Sequence, residues 1–217
     1  MKPSLFAAFA AGAALTALLV VSLAATPLTE PATVAPAATQ DADMQMPSAE
    51  EMAEMMAKMQ KYTQPGEEHK ALERFLGKWN TTTTIMMPGA PPASAGTTEF
   101  SWLIDGYFVI SEGESTMMGQ KVKSVSIHGY DKFKLSYVAS MMSSMDTSLR
   151  SAEGDLTRDG KSLLLYGTLD EYLTGEHDKM VKYAWRFPSD DKMVLEVHDL
   201  PIGEENTKVV EVVFTRA

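Results

Sequence analysis

From Lys78 to Arg216 the chain alternates β-branched and aromatic runs with short, fairly evenly spaced turn segments, and nothing of helix length interrupts it after Gly77. Such runs read as strands, because branched and aromatic side chains fit a pleated, half-buried surface. About ten can be counted: Trp79 to Met87, Thr97 to Ile104, Phe108 to Ser115, Lys121 to Tyr130, Lys134 to Met142, Thr147 to Leu156, Ser162 to Asp170, Lys179 to Phe187, Met193 to Asp199 and Lys208 to Arg216. Asp105-Gly106, Tyr130-Asp131-Lys132, Arg158-Asp159-Gly160, Thr174-Gly175 and Ser189-Asp190-Asp191 read as hairpin turns between them. Hairpins this short force antiparallel neighbours, and the missing helices rule against a parallel sheet. A meander of this length either rolls shut or leaves two aggregation-prone edges. The expected fold class is mainly β, an antiparallel up-and-down barrel of about ten strands with two short N-terminal helices; a flattened sandwich is the alternative.

The helices are read from their caps. Ser48 followed by Glu51 forms a capping box, in which each side chain satisfies a free backbone N–H of the helix start. Met52, Met55, Met56 and Met59 then recur at helical spacing and make one thioether stripe, which is expected to be covered by something. Pro65-Gly66 breaks the chain. Glu67 to Leu76 reads as a second short helix with acidic residues in its first turn, an apolar row of Leu72, Phe75 and Leu76, and Gly77 at its end. Both helices are expected to cap one end of the barrel.

The first 24 residues read as a secretory signal: Lys2, an apolar run from Leu5 to Leu23, and small residues at Ser22 and Ala24 that suit cleavage before Ala25. An uncleaved anchor is the alternative, since the run approaches the length of a spanning helix. Residues 25–46 are rich in Ala, Thr and Pro and too poor in large apolar side chains to offset the entropy of ordering, so they read as a disordered linker before a domain at 47–217. Export across an inner membrane to the periplasm is expected, with no stable membrane insertion once the signal is removed. The chain has no cysteine, so no disulfide supplements the apolar core. Its formal charge of -10 disfavours nucleic acid and anionic lipid as partners.

Two stretches of the sequence resemble known families. Phe75-Leu76-Gly77-Lys78-Trp79 resembles the F-x-G-x-W that opens the first strand of lipocalins and fatty-acid-binding proteins, the calycin group. That resemblance implies a barrel whose end is closed by Trp79, with an arginine of the last strand, here Arg216, lying over it as a cation–π partner. Over about Met59 to Arg216 the chain also resembles the bacterial family called domain of unknown function 1579. The agreement runs through Tyr62, Pro65-Gly66-Glu67-Glu68-His69-Lys70, Gly77-Lys78-Trp79, Met117-Met118-Gly119, Gly129-Tyr130-Asp131, Glu153-Gly154, Glu196 and Glu211-Val212-Val213-Phe214-Thr215-Arg216. Where the family resembles Trp-Ile-Asp-Ser-Met, this chain has Met141-Met142-Ser143-Ser144-Met145, without the tryptophan and the carboxylate. The resemblance implies a calycin-like barrel and no established activity.

Candidate sites follow from the barrel. Trp102, Tyr137, Met141, Tyr183 and Trp185 are bulky residues on different strands that would line a pocket for a small apolar molecule. A lumen filled by these same side chains is the competing expectation. In that case the protein would be a structural or interaction module whose methionine helix docks a partner. The 16 methionines, with Met52, Met55, Met56 and Met59 foremost, also suggest a thioether site for Cu(I), although such a row is more often a packing surface. His69, His128, His177 and His198 show no metal-ligand spacing and read as ordinary surface or packed histidines, so no metal or cofactor is expected from them. Serines and threonines read as solvent-face strand residues. Glu196 and Glu211 read as partners of Lys182 or Arg186 in exposed ladders. No nucleophile elbow, phosphate loop or metalloprotease motif is present, so the chain reads as a non-enzyme.

Overall fold

The computed structural model describes residues 48–86, 89–117, 119–171, 175–200 and 207–217. The expected signal peptide and linker, with Pro47, Met87, Met118 and Thr174, lie outside the described residues. Ten strands follow two N-terminal helices: α1 (Ala49–Thr63), α2 (Glu67–Lys70) continued by a 3-10 segment (Ala71–Phe75), then β1 (Gly77–Ile85), β2 (Ser94–Ile104), β3 (Phe108–Met117), β4 (Gln120–Asp131), β5 (Ser136–Ser143), β6 (Arg150–Leu156), β7 (Ser162–Glu171), β8 (Glu176–Ser189), β9 (Lys192–Asp199) and β10 (Thr207–Arg216). Each expected run is one of these strands. Every strand pairs antiparallel with its sequence neighbours, and β1 pairs with β10, so the sheet is a closed barrel without a free edge.

The last pairing places Trp79 opposite Arg216. The guanidinium carbon lies 4.0 Å from the centre of the Trp79 ring, a contact of roughly 0.5–1 kcal/mol for an exposed cation. Arg216 also donates to the carbonyls of Leu76 and Asp190, while the buried Trp79 indole donates to Phe75 O at 2.8 Å. Gly77 makes room for this clasp. Its φ of +113° is strained for any other residue, and a Cβ there would stand 2.3 Å from an Arg216 guanidinium nitrogen.

The second helical segment plugs this end of the barrel. Its sequence is too short for a stable α-helix, and after Lys70 it tightens into 3-10 geometry, which stacks Leu72 and Phe75 three apart on the face turned inward. Both are 1 % exposed. Arg74 secures the segment from outside, donating to Gly160 O at 2.7 Å and lying over the Phe187 ring. His69 is buried as well, and its Nδ1 accepts from the Gly66 N–H at 3.0 Å.

Helix α1 departs from expectation. The capping box forms as read, with Glu51 N–H donating to Ser48 Oγ and Ser48 N–H to Glu51 Oε2. The helix has no buried residue, however, and Met52, Met55, Met56 and Met59 are 41, 46, 62 and 50 % exposed. Only its C-terminal end is tied to the barrel. Tyr62 stacks on Phe133 at 4.7 Å, Tyr107 Oη donates to Thr63 O, and Lys132 Nζ donates to Gln64 O. The capping of the barrel is thus the work of the second segment, and among the described residues nothing covers the stripe. No helix of the described residues is long and apolar enough to cross a membrane.

Candidate functional site

Strand register decides what faces the lumen. Phe100, Ser111, Ser126, Met141 and Arg150 lie opposite one another in succession across β2 to β6, so all five side chains point to the same face. On β8 to β10 the equivalent inward positions are Tyr183, Trp185, Leu195, Val197, Val212 and Phe214. Between these two walls lies a cavity of about 370 Å³. The lumen is therefore not filled by its own side chains.

The cavity has two chemically different walls. The wall from β8 to β10 is aromatic and aliphatic, while that from β1 to β4 presents hydroxyls, among them Thr81, Thr83, Thr98, Ser111, Ser124 and Ser126. These serines and threonines belong to the lumen, not to the solvent face on which the sequence reading placed them. Room for them comes partly from Gly113, where a Cβ would stand 2.6 Å from Ser124 Oγ and 3.0 Å from Thr98 Oγ1. Among the described lining residues Arg150 and Glu114 carry charge, and each is already paired. Arg150 donates to Asp146, and Glu114 lies 3.4 Å from Lys123. Burial pushes the Asp146 carboxyl up, but hydrogen bonds from Ser148 and Arg150 outweigh it and hold the group below its ordinary value. The Tyr183 phenol is pushed up by burial, with Arg150 acting against the shift.

Below the cavity the floor is a cluster of rings. Phe75 stacks on His128 at 5.2 Å and on Phe100 at 5.6 Å, and meets Trp185 and Phe187 edge-on at 5.0 and 5.4 Å. His128 is 1 % exposed, and burial alone pushes its pKa down to about 4, so the ring is neutral at neutral pH. Its Nε2 lies 2.8 Å from Ser126 Oγ, which lies 2.6 Å from Ser111 Oγ, while Nδ1 is buried without a partner. The sequence carried one trace of this chain, since Ser124, Ser126 and His128 alternate along one strand face. It could not show that the face is internal or that Ser111 stands opposite Ser126.

Of the residues expected to line a pocket, Met141, Tyr183 and Trp185 do so. Trp102 packs against the core and Tyr137 sits at the plugged end, its hydroxyl donating to Glu68 O at 2.9 Å; neither is on the cavity wall. Burial pushes the Tyr137 phenol up to about 12. His69 and His128 are packed, His177 pairs with Asp170 on the surface, and His198 lies 3.6 Å from Glu196. The described residues bring together no group of three or more His, Cys, Asp or Glu fit for a metal ion. Outside the barrel Glu196 pairs with Arg186 at 2.7 Å and with Lys208 at 3.2 Å; Glu211 pairs with Lys208, not with Lys182.

Comparison with solved structures finds the same fold elsewhere. A crystal structure of Rv2717c from M. tuberculosis aligns with a TM-score of 0.50 at 12% identity, covering 71% of this chain and 99% of that one. A redesigned beta barrel aligns with a TM-score of 0.36 at 11% identity, covering 68% of this chain and 95% of the other. At such identities the first likeness shows the fold alone. No protein with a curated function matches the sequence. One family model does match, over residues 64–216, from the broken end of α1 through the last arginine of the barrel, and the chain accordingly belongs to the family described as protein of unknown function (DUF1579).

Proposed function

We propose that the protein is exported and binds a small, largely apolar molecule inside its barrel. The observation that carries this reading is the cavity of about 370 Å³ held between Trp185, Tyr183 and Phe214 on one wall and the hydroxyls of β1 to β4 on the other. Its size lies within the range of small-molecule pockets, roughly 300–1,000 Å³, and its mix of a broad apolar wall with a few placed polar groups is what such pockets share. Binding is favoured over catalysis by the state of His128. A hydroxyl nucleophile needs a base that is itself oriented by a third group, and here Nδ1 faces no carboxylate.

Trp185 is the natural reporter, as one of three tryptophans and the one on the cavity wall. Titration with 1-anilinonaphthalene-8-sulfonate and with uncharged naphthalenes should shift or quench its emission, and Trp185→Phe should remove that change. Replacing Leu195 and Val212 by Phe together narrows the lumen and should weaken binding on the order of tenfold, ~1.4 kcal/mol. A spectrum that no apolar ligand alters would end this reading.

A second reading rests on a different observation, the exposure of all four thioethers of the α1 stripe. A packing role would have covered them. Thioethers one helical turn apart suit Cu(I), and we infer a soft-metal site on this helix as the alternative. Replacing the four methionines by Leu keeps the apolar face and removes the sulfur, so retained Cu(I) on gel filtration should be lost. Equal copper retention by the Leu variant would dismiss the site.

A further inference from the structure

The hydroxyl chain beneath the cavity has a direction, and the direction selects a ligand. His128 is neutral and fully enclosed by Phe75, Phe100 and Trp185, so it carries one N–H and one bare nitrogen. Only Nε2 has a partner. With the proton on Nδ1, an N–H would be buried without an acceptor, the kind of orphan that native structures avoid most strictly. With the proton on Nε2 every hydrogen is used, and the unpaired group is a lone pair against aromatic rings. The tautomer is assigned by this balance.

The rest follows by counting protons. Ser126 Oγ accepts from His128 and keeps a second lone pair and a proton, so the 2.6 Å contact with Ser111 Oγ uses one of the two serine protons and leaves the other. The remaining proton belongs to one hydroxyl of the pair, and both serines line the cavity, so the pair is a hydrogen-bond donor toward it. We propose that the cavity recognises an uncharged apolar molecule through a carbonyl oxygen that accepts a hydrogen bond from the Ser111–Ser126 hydroxyl pair, into which His128 donates from behind. The uncharged character follows from the pairing of Arg150 with Asp146, which leaves no free cation among the described lining residues for a carboxylate. The inference rests on the ligand-binding reading and deepens it.

Two measurements separate the inference from that reading. On the ligand-free protein, nitrogen NMR of the imidazoles, with His128 assigned through a His128→Gln variant, should show the proton on Nε2; a proton on Nδ1 would overturn the direction of the chain. The second compares 2-acetylnaphthalene with 2-isopropylnaphthalene, a pair of nearly equal shape, and with 2-naphthoate. The ketone should bind about 2- to 10-fold more tightly than the hydrocarbon, the worth of one neutral hydrogen bond, and more tightly than the carboxylate. Replacing Ser111 and Ser126 together by Ala should abolish the preference of ketone over hydrocarbon. Equal affinity of ketone and hydrocarbon in the wild-type protein overturns the carbonyl site but leaves a general apolar pocket. Failure of all three probes to bind removes both.

Discussion

Between pH 6.5 and pH 4.5 the folded barrel is expected to lose stability steadily, for a reason that lies with one side chain. His128 has a folded pKa of about 4 against an ordinary value of 6.5, because burial among rings penalises its charged form. As the pH falls below 6.5 the unfolded chain takes up a proton that the native state refuses, so the equilibrium moves toward unfolding; the stability is complete above 6.5 and the loss is finished near pH 4. At about 1.4 kcal/mol per pKa unit the full loss is about 3 kcal/mol, a large share of the 5–15 kcal/mol typical of a domain. His69 contributes with the same sign. Its pKa is lowered first by burial and then by Lys132, and protonation at Nδ1 would break the bond it accepts from Gly66. The carboxylates held low by hydrogen bonds, such as Asp159 and Asp170, act mainly as the pH falls through their ordinary value of 3.8, below the window of the histidines. Urea unfolding at pH 7, 5.5 and 4.5 checks this. The wild-type midpoint should fall through the series and the fall should shrink in His128→Gln; a midpoint unchanged between pH 6.5 and 4.5 would contradict the burial of His128 as described.

The same residue marks where sequence reading reached its limit. Strands and their closure were legible because each depends on local signals: branched and aromatic runs, and turns such as Asp105-Gly106 and Arg158-Asp159-Gly160 too short to connect anything but antiparallel neighbours. Trp79 and Arg216 lie at the two ends of the strand order, so any closed barrel with this meander brings the first and last strands side by side. What stayed hidden was the sign of each alternation. Two-fold periodicity grouped Ser124 with Ser126 and His128 but gave the same pattern for an outer face. Only the register of β3 against β4 sets Ser111 opposite Ser126 and turns separate hydroxyls into a chain. Shear hid the rest: Tyr137 and Met141 share a face of β5, yet one lies under the plug and the other on the cavity wall. For α1 the stripe pattern was right and its usual consequence was not, since helical periodicity reports that a face is apolar without reporting that anything rests on it.

Removing the ring of Phe75 is expected to be among the most damaging single changes to this barrel. The residue holds together parts of the molecule that are distant in sequence: it is 1 % exposed, packs on His128 of β4, Phe100 of β2 and Trp185 and Phe187 of β8, and its own carbonyl takes the Trp79 indole proton. Large-to-small changes of buried aromatics cost about 3–5 kcal/mol, because the transfer free energy is lost and the hole left behind does not close. Collapse is hard here, since the neighbours are strands of a closed sheet whose positions are fixed by hydrogen bonds on both sides. Phe75→Ala should therefore lower the urea midpoint sharply, whereas Phe75→Leu, which keeps most of the volume, should lose much less. Met59→Ala on the exposed stripe should stay within about 0.5 kcal/mol of wild type. The difference between the Phe75 and Met59 variants distinguishes a plug from an ornament. If the 3-10 segment merely rested on the barrel, the two alanine variants would unfold alike, and the aromatic floor would not be what closes this end of the lumen.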